Sequence, residues 1–64
     1  MTTWRLGDTV WREGDAWRVE VVGPSGLVLG GCLMRLDAHE VLVRFGGRLA
    51  AFQEHEKGVW TWTG

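Results

Sequence analysis

The chain has 64 residues, with seven basic and eight acidic side chains, five tryptophans and one cysteine. So short a chain predicts one small domain over residues 1–64, and because basic residues outnumber acidic ones in neither half, the sequence has no basic tail that binds nucleic acid by charge alone. The lone Cys32 excludes an intrachain disulfide, and the sequence shows neither a signal-peptide pattern nor a membrane-spanning apolar run, so we expect a cytoplasmic protein that does not bind membranes.

Ten glycines and one proline separate short apolar runs, a spacing typical of an all-β domain with tight turns. The first run covers residues 8–11, and Glu13-Gly14-Asp15 turns the chain around. In the second run, residues 16–22, apolar and charged side chains alternate. This alternation places Trp17 on the same face as Val19 and predicts that Trp17 belongs to the core.

The next segment contains two breaks that shape a sheet. Gly23-Pro24-Ser25-Gly26 is the strongest turn signal, since proline fixes φ and glycine accepts a positive φ. The third run, residues 27–34, is apolar but is interrupted at Gly30-Gly31. Glycine inside a strand indicates a bulge or a bend, which small barrels need in order to close.

The fourth run, residues 40–45, leads into Gly46-Gly47, a two-residue hairpin signal. A turn there places Phe45 opposite Arg48, Val43 opposite Ala50 and Val41 opposite Phe52. In this register the paired apolar side chains share one face of the sheet, which favours it.

The region after this hairpin has two interpretations. Residues 48–57 can form a short helix that ends at Gly58, with Lys57 in its last turn. We favour a strand to Phe52, followed by a turn or a single helical turn. The last run, residues 59–62, has high β propensity, and the prediction is therefore an all-β fold of five short strands.

The stretches "GDTVWREGDAWRVEVVG" and "VLVRFGG" resemble the SH3-like small barrels, in the broad sense that includes Tudor and KOW domains. In such domains a Gly-Asp often precedes the first strand and a glycine turn precedes the second. The resemblance implies a five-stranded, strongly bent barrel. It also implies an aromatic-lined groove that takes extended segments.

The residue types that carry catalysis are few and poorly placed. Cys32 lies among apolar neighbours and is expected to be a buried apolar residue rather than a nucleophile. Glu54-His55-Glu56 is expected to be a solvated turn rather than a metal site, since one histidine with flexible carboxylates binds metal poorly. With no phosphate-binding or dinucleotide motif, we predict no enzyme activity, no catalytic residue, no metal and no cofactor.

The tryptophans have two interpretations. All five can fill the two ends of a small barrel, or Trp11 can form a surface patch with Trp60 or Trp62, which share a face of the last run. Arginines are the second candidate group: Arg44 and Arg48 flank the Gly46-Gly47 turn, and Arg35 can join them across the sheet. The predicted binding residues are Trp11, Arg35, Arg44, Arg48, Trp60 and Trp62.

Two function classes fit these residues. The first is a non-catalytic module that recognises a protein or peptide partner, or a second copy of itself, through tryptophan and arginine. The alternative is a nucleic-acid-binding barrel that stacks bases on tryptophan while Arg35, Arg44 and Arg48 contact phosphates. The net charge of −1 favours the first.

Overall fold

The computed structural model describes residues 3–63, which form a small closed barrel of antiparallel strands. Each strand pairs with the next along the chain, and β1 returns to pair with β6. These residues contain no helix that could cross a membrane. The strands are β1 (Arg5–Glu13), β2 (Ala16–Val22), β3 (Val28–Leu36), β4 (Glu40–Phe45), β5 (Arg48–Glu56) and β6 (Val59–Trp62).

The predicted strand count was wrong: the barrel has six strands rather than five. Neither the single helical turn after Phe52 nor the alternative helix over residues 48–57 is present, because β5 continues to Glu56. Gln53 pairs with Thr61 and Glu54 with Trp60, so the neighbouring β6 supplies the partners that hold this segment extended. Residues 54–56 therefore lie exposed in a strand, not in a turn.

The predicted β4–β5 hairpin register is confirmed. Phe45 lies opposite Arg48, Val43 opposite Ala50 and Val41 opposite Phe52. Gly46 and Gly47 have φ values of 54° and 76°, the left-handed conformations that a tight two-residue hairpin requires.

The core follows the two-residue period of the strands. Its fully or nearly buried side chains come from β2, β4 and β5 and point to one side of the sheet. Each contributes about 1.5–3 kcal/mol when fully buried, alanine less. They are Val19, Val21, Val41, Val43, Phe45, Ala50 and Phe52.

Aromatic side chains fill the end of the barrel where β1 begins and β6 ends. The Trp4 ring centroid lies 5.2 Å from that of Phe45, and Trp62 meets Phe45 edge to face at 6.0 Å. The Arg48 guanidinium lies over Trp62, with Cζ 5.5 Å from the ring centroid. We call this group, Trp4, Phe45 and Trp62, the aromatic end.

Candidate functional site at the open end of the barrel

The first strand extends well past its partner β6. The two strands pair at Arg5 and Thr61, and the Trp62 amide donates to the Trp4 carbonyl at 3.0 Å. Continuing this register places Gly7 opposite Val59, where β6 begins. Among residues 3–63, therefore, no strand pairs with residues 8–12 on the side of β1 that faces β6.

A bulge separates the two halves of β1. Leu6 pairs with Val21 and Val10 with Val19, so three residues of β1 lie opposite Glu20 alone. A Cβ on Gly7 would come within 2.9 Å of the Glu20 Cβ, so glycine permits this close approach. Such bulges bend a strand and increase its twist.

The tip of the β1–β2 hairpin is also not paired with β3. Pairing between β2 and β3 reaches Arg18 and Cys32 and stops there, although β3 continues to Leu36. We call residues 10–17 the β1–β2 arm. Within the described part of the chain, its two strands pair with each other, but β6 does not pair with its β1 side and β3 does not pair with Ala16 or Trp17 on its β2 side.

The separation exposes apolar side chains on the core-facing side of the sheet. Val10, Trp17, Met34 and Leu36 are 52%, 50%, 47% and 72% exposed, respectively. Two adjoining cavities, one between the arm and β3 and one between the arm and β6, share Val10, Leu33 and Leu36. We call the combined surface the open-end groove. Its main lining residues are Leu6, Val10, Trp17, Leu33, Met34, Leu36, Val41 and Trp60.

The prediction that Trp17 is a core residue was therefore wrong. Trp17 does lie in phase with Val19, but Val19 is 2% exposed and Trp17 is 50% exposed. The strand alternation is preserved, yet within residues 3–63 the pairing of β2 with β3 ends at Arg18, so no strand lies beside Trp17 on that side. Arg12 lies over the indole instead, with Cζ 5.9 Å from the ring centroid, and its Nε donates to the Gly14 carbonyl at 3.2 Å.

Acidic residues outnumber basic ones around the open-end groove. Because successive strands run in opposite directions, the β1–β2, β3–β4 and β5–β6 turns lie at this end. Arg35 pairs with Asp37 at 3.5 Å and with Glu40 at 3.6 Å. The five acidic residues in or beside these turns are Glu13, Asp15, Asp37, Glu40 and Glu56, and the three basic ones are Arg12, Arg35 and Lys57.

The structure distributes the sequence-predicted binding residues over three places. Trp60 lines the open-end groove, and Arg35 lies at its rim in ion pairs. Trp62 belongs to the aromatic end, and Arg48 lies over its ring. Trp11 lies elsewhere, on the outer side of the sheet.

One outer row crosses four strands. Trp11 pairs with Arg18, Arg18 with Cys32, and Cys32 with Arg44. Arg44 is exposed, and the buried Arg18 Nε has no hydrogen-bond partner. Cys32 is half-buried rather than buried. This row brings one indole and two guanidinium groups together on one face.

Sequence reasoning missed Val10, Met34 and Leu36 as surface residues. Their exposure depends on where the neighbouring strands end, which the local sequence pattern does not show. In residues 3–63 no three His, Cys, Asp or Glu side chains are grouped so that they could hold a metal ion.

No protein-family model matches the sequence, and neither the curated proteins nor the solved structures contain a match.

Proposed function

We propose that this protein is a non-catalytic cytoplasmic module that binds an extended segment of a protein partner in the open-end groove. The observation that carries the proposal is the set of exposed apolar side chains that continues directly from the core, Val10, Trp17, Met34 and Leu36. Contiguous apolar surface of this kind marks interaction sites on small soluble domains. A groove bounded by a strand edge suits an extended chain, which gains backbone hydrogen bonds as well as apolar contact.

Two features support a protein ligand with a preference. Trp17 and Arg12, which lies over the indole, are both of residue types that are enriched among the positions that dominate binding energy at protein interfaces. The excess of acidic side chains at the rim favours a segment whose apolar residues are flanked by lysine or arginine.

We also propose that the barrel belongs to the SH3-like class in the broad sense. The bulged first hairpin, the glycine pair within β3 and the tight β4–β5 hairpin support this assignment. The sixth strand is a departure from the five-stranded pattern.

Selection from a displayed library of random peptides tests the proposed function. We expect enriched peptides to alternate apolar residues and to carry basic flanks. Leu36→Asp should abolish their binding, because it places a charge in the groove. Leu49→Asp is the matched control, since Leu49 is 57% exposed on the opposite side of the sheet and should leave binding unchanged. Equal loss in both variants, or no enrichment at all, would contradict the proposal.

The outer row supports a second candidate, a single-stranded nucleic acid. Trp11 offers a stacking surface, and Arg18 and Arg44 lie along the same row. Titration with oligonucleotides at low and moderate salt, followed by tryptophan fluorescence, separates the two candidates. Phosphate contacts make affinity fall steeply with salt, and Arg44→Glu should then weaken binding. Unchanged fluorescence at both salt concentrations would reject this candidate.

A further inference from the structure

We propose that the free edge of β1 pairs antiparallel with the same edge of a second copy of this chain, centred on Val10. The inference rests on the proposed function in that it uses the same end of the barrel as the binding face. It commits to one occupant of the edge: residues 8–12 of another molecule.

The length of the free edge sets the extent of the pairing. β6 begins at Val59, opposite Gly7, so the edge beyond it starts at Asp8. The strand ends at Glu13, next to the Gly14-Asp15 turn. The backbone N–H and C=O groups of such an edge are a template for another strand.

Charge selects the register of this pairing. The segment reads Asp8-Thr9-Val10-Trp11-Arg12, with opposite charges at equal distances from Val10. An antiparallel pair centred on Val10 places Asp8 of each copy opposite Arg12 of the other, and a two-fold axis makes this contact twice. Opposite charges directly across two strands stabilise a pair, and like charges destabilise it.

Other arrangements lack this match. A parallel, in-register pair brings Asp8 against Asp8 and Arg12 against Arg12. An antiparallel pair centred on Trp11 places Arg12 opposite Val10 and Glu13 opposite Thr9. In that register neither Arg12 nor Glu13 lies opposite a residue of opposite charge. The sequence is thus complementary to itself in one register of the free edge.

Apolar contact adds to the charge match. Val10 is 52% exposed and faces the groove, so the proposed centre brings two exposed valines together. Trp17 lies one strand away on the same side, where the second copy adds cover. A folded state that binds a second copy is stabilised by that association, which matters for a chain this small.

Sedimentation equilibrium from micromolar to millimolar protein is the first measurement, and we expect a reversible monomer–dimer equilibrium. Asp8→Arg and Arg12→Asp should each raise the dimer dissociation constant about tenfold or more, since each places two pairs of like charges across the seam. Arg5→Asp reverses an exposed charge on the same strand, at the position where β1 pairs with β6 and outside the free edge, and should change nothing.

Mixing the two single variants gives the decisive measurement. The Asp8→Arg chain carries two positive charges on the edge and the Arg12→Asp chain two negative ones, so an equimolar mixture should form a heterodimer. Native mass spectrometry identifies it, because the variants differ in mass. The double variant D8R/R12D should dimerise like the original chain, since it restores both opposite-charge contacts. Circular dichroism verifies that each variant is folded. If a charge-reversal variant is unfolded, Asp8→Asn takes its place, and we expect it to weaken dimerisation less.

Two results would overturn the inference. A monomer at every concentration removes the second copy as the occupant but leaves peptide binding to the groove intact. This register is excluded if both charge reversals leave the dimer dissociation constant unchanged. It is also excluded if the two single variants form no heterodimer when they are mixed. Failure of the peptide selection alone contradicts the proposed function and leaves the measured dimer standing.

Discussion

Gly31 on β3 lies directly against Val43 on β4 inside the barrel. A Cβ on Gly31 would come within 2.6 Å of Val43 Cγ1 and 2.9 Å of Val21 Cγ2, both on fully buried side chains. The packing of Val43 and Val21 therefore depends on the absence of a side chain at Gly31.

Gly31→Ala is expected to destabilise the protein by about 1–3 kcal/mol, the usual result of overpacking a core. Gly30→Ala is the matched control, because its Cβ would meet only Arg18 Nη2, at 3.0 Å, the far end of a flexible side chain. Urea unfolding of both variants measures the difference. Equal stability of the two would contradict the packing described for Gly31.

Phe45 connects the core to the aromatic end, since it contacts Trp4, Phe52 and Trp62. Phe45→Ala should cost about 3–5 kcal/mol of unfolding free energy, because it removes a buried ring and leaves a cavity. That loss approaches the whole stability of a small domain, so the variant is expected to be largely unfolded at 25 °C.

The graded variant Phe45→Leu keeps the measurement within range, with an expected loss of about 1–2 kcal/mol for the smaller side chain. Leu49→Ala, at an exposed position, should change the unfolding free energy by no more than about 0.5 kcal/mol. Thermal unfolding followed by near-ultraviolet circular dichroism reports both the stability and the indole environment. An unchanged midpoint for Phe45→Leu would argue against its central place in the core.

The β5–β6 turn carries a side-chain cap. The Gly58 amide donates to Glu54 Oε2 at 2.9 Å, and Gly58 has a φ of 82°. Glu54→Ala should cost about 0.5–1.5 kcal/mol through the lost hydrogen bond, and Glu54→Gln should cost less because it keeps an acceptor oxygen. Chemical unfolding of the two variants gives the comparison, and an equal loss in both would mean that the carboxylate charge matters more than the acceptor.

Local patterns predicted the faces of the strands because side-chain alternation and turn chemistry are properties of neighbouring residues. The pair Gly46-Gly47 was enough to place Val43 opposite Ala50, as observed. The extension of β5 beyond Phe52 was missed because it depends on β6, a separate strand whose pairing outweighs the helical propensity of the intervening residues.

The open-end groove was missed for a related reason. A period of two places Trp17 on the inner face, but burial also requires a strand on either side at that level. The points at which β6 and the β2–β3 pairing end depend on the lengths of strands that are distant in sequence. The local sequence around Val10 and Leu36 therefore did not indicate that these side chains are exposed. Among the predicted binding residues, Trp60 and Arg35 are the two at this end.

The exposure of Trp17 gives the final prediction, an optical one. An indole in water emits at longer wavelength than a buried one and is more accessible to a quencher such as acrylamide. Trp17→Phe should therefore shift the remaining emission to shorter wavelength and reduce acrylamide quenching at micromolar concentration, because Trp17 is 50% exposed. Trp62→Phe is the control: it removes a half-buried indole that packs on Phe45 and should leave the exposed component in place. If Trp17→Phe leaves the quenching of the chain unchanged, the arm is folded over the groove in solution and the indole is covered. Since dimerisation through β1 adds cover beside Trp17, quenching of the original chain should also fall as its concentration rises, and Trp17→Phe should remove that dependence.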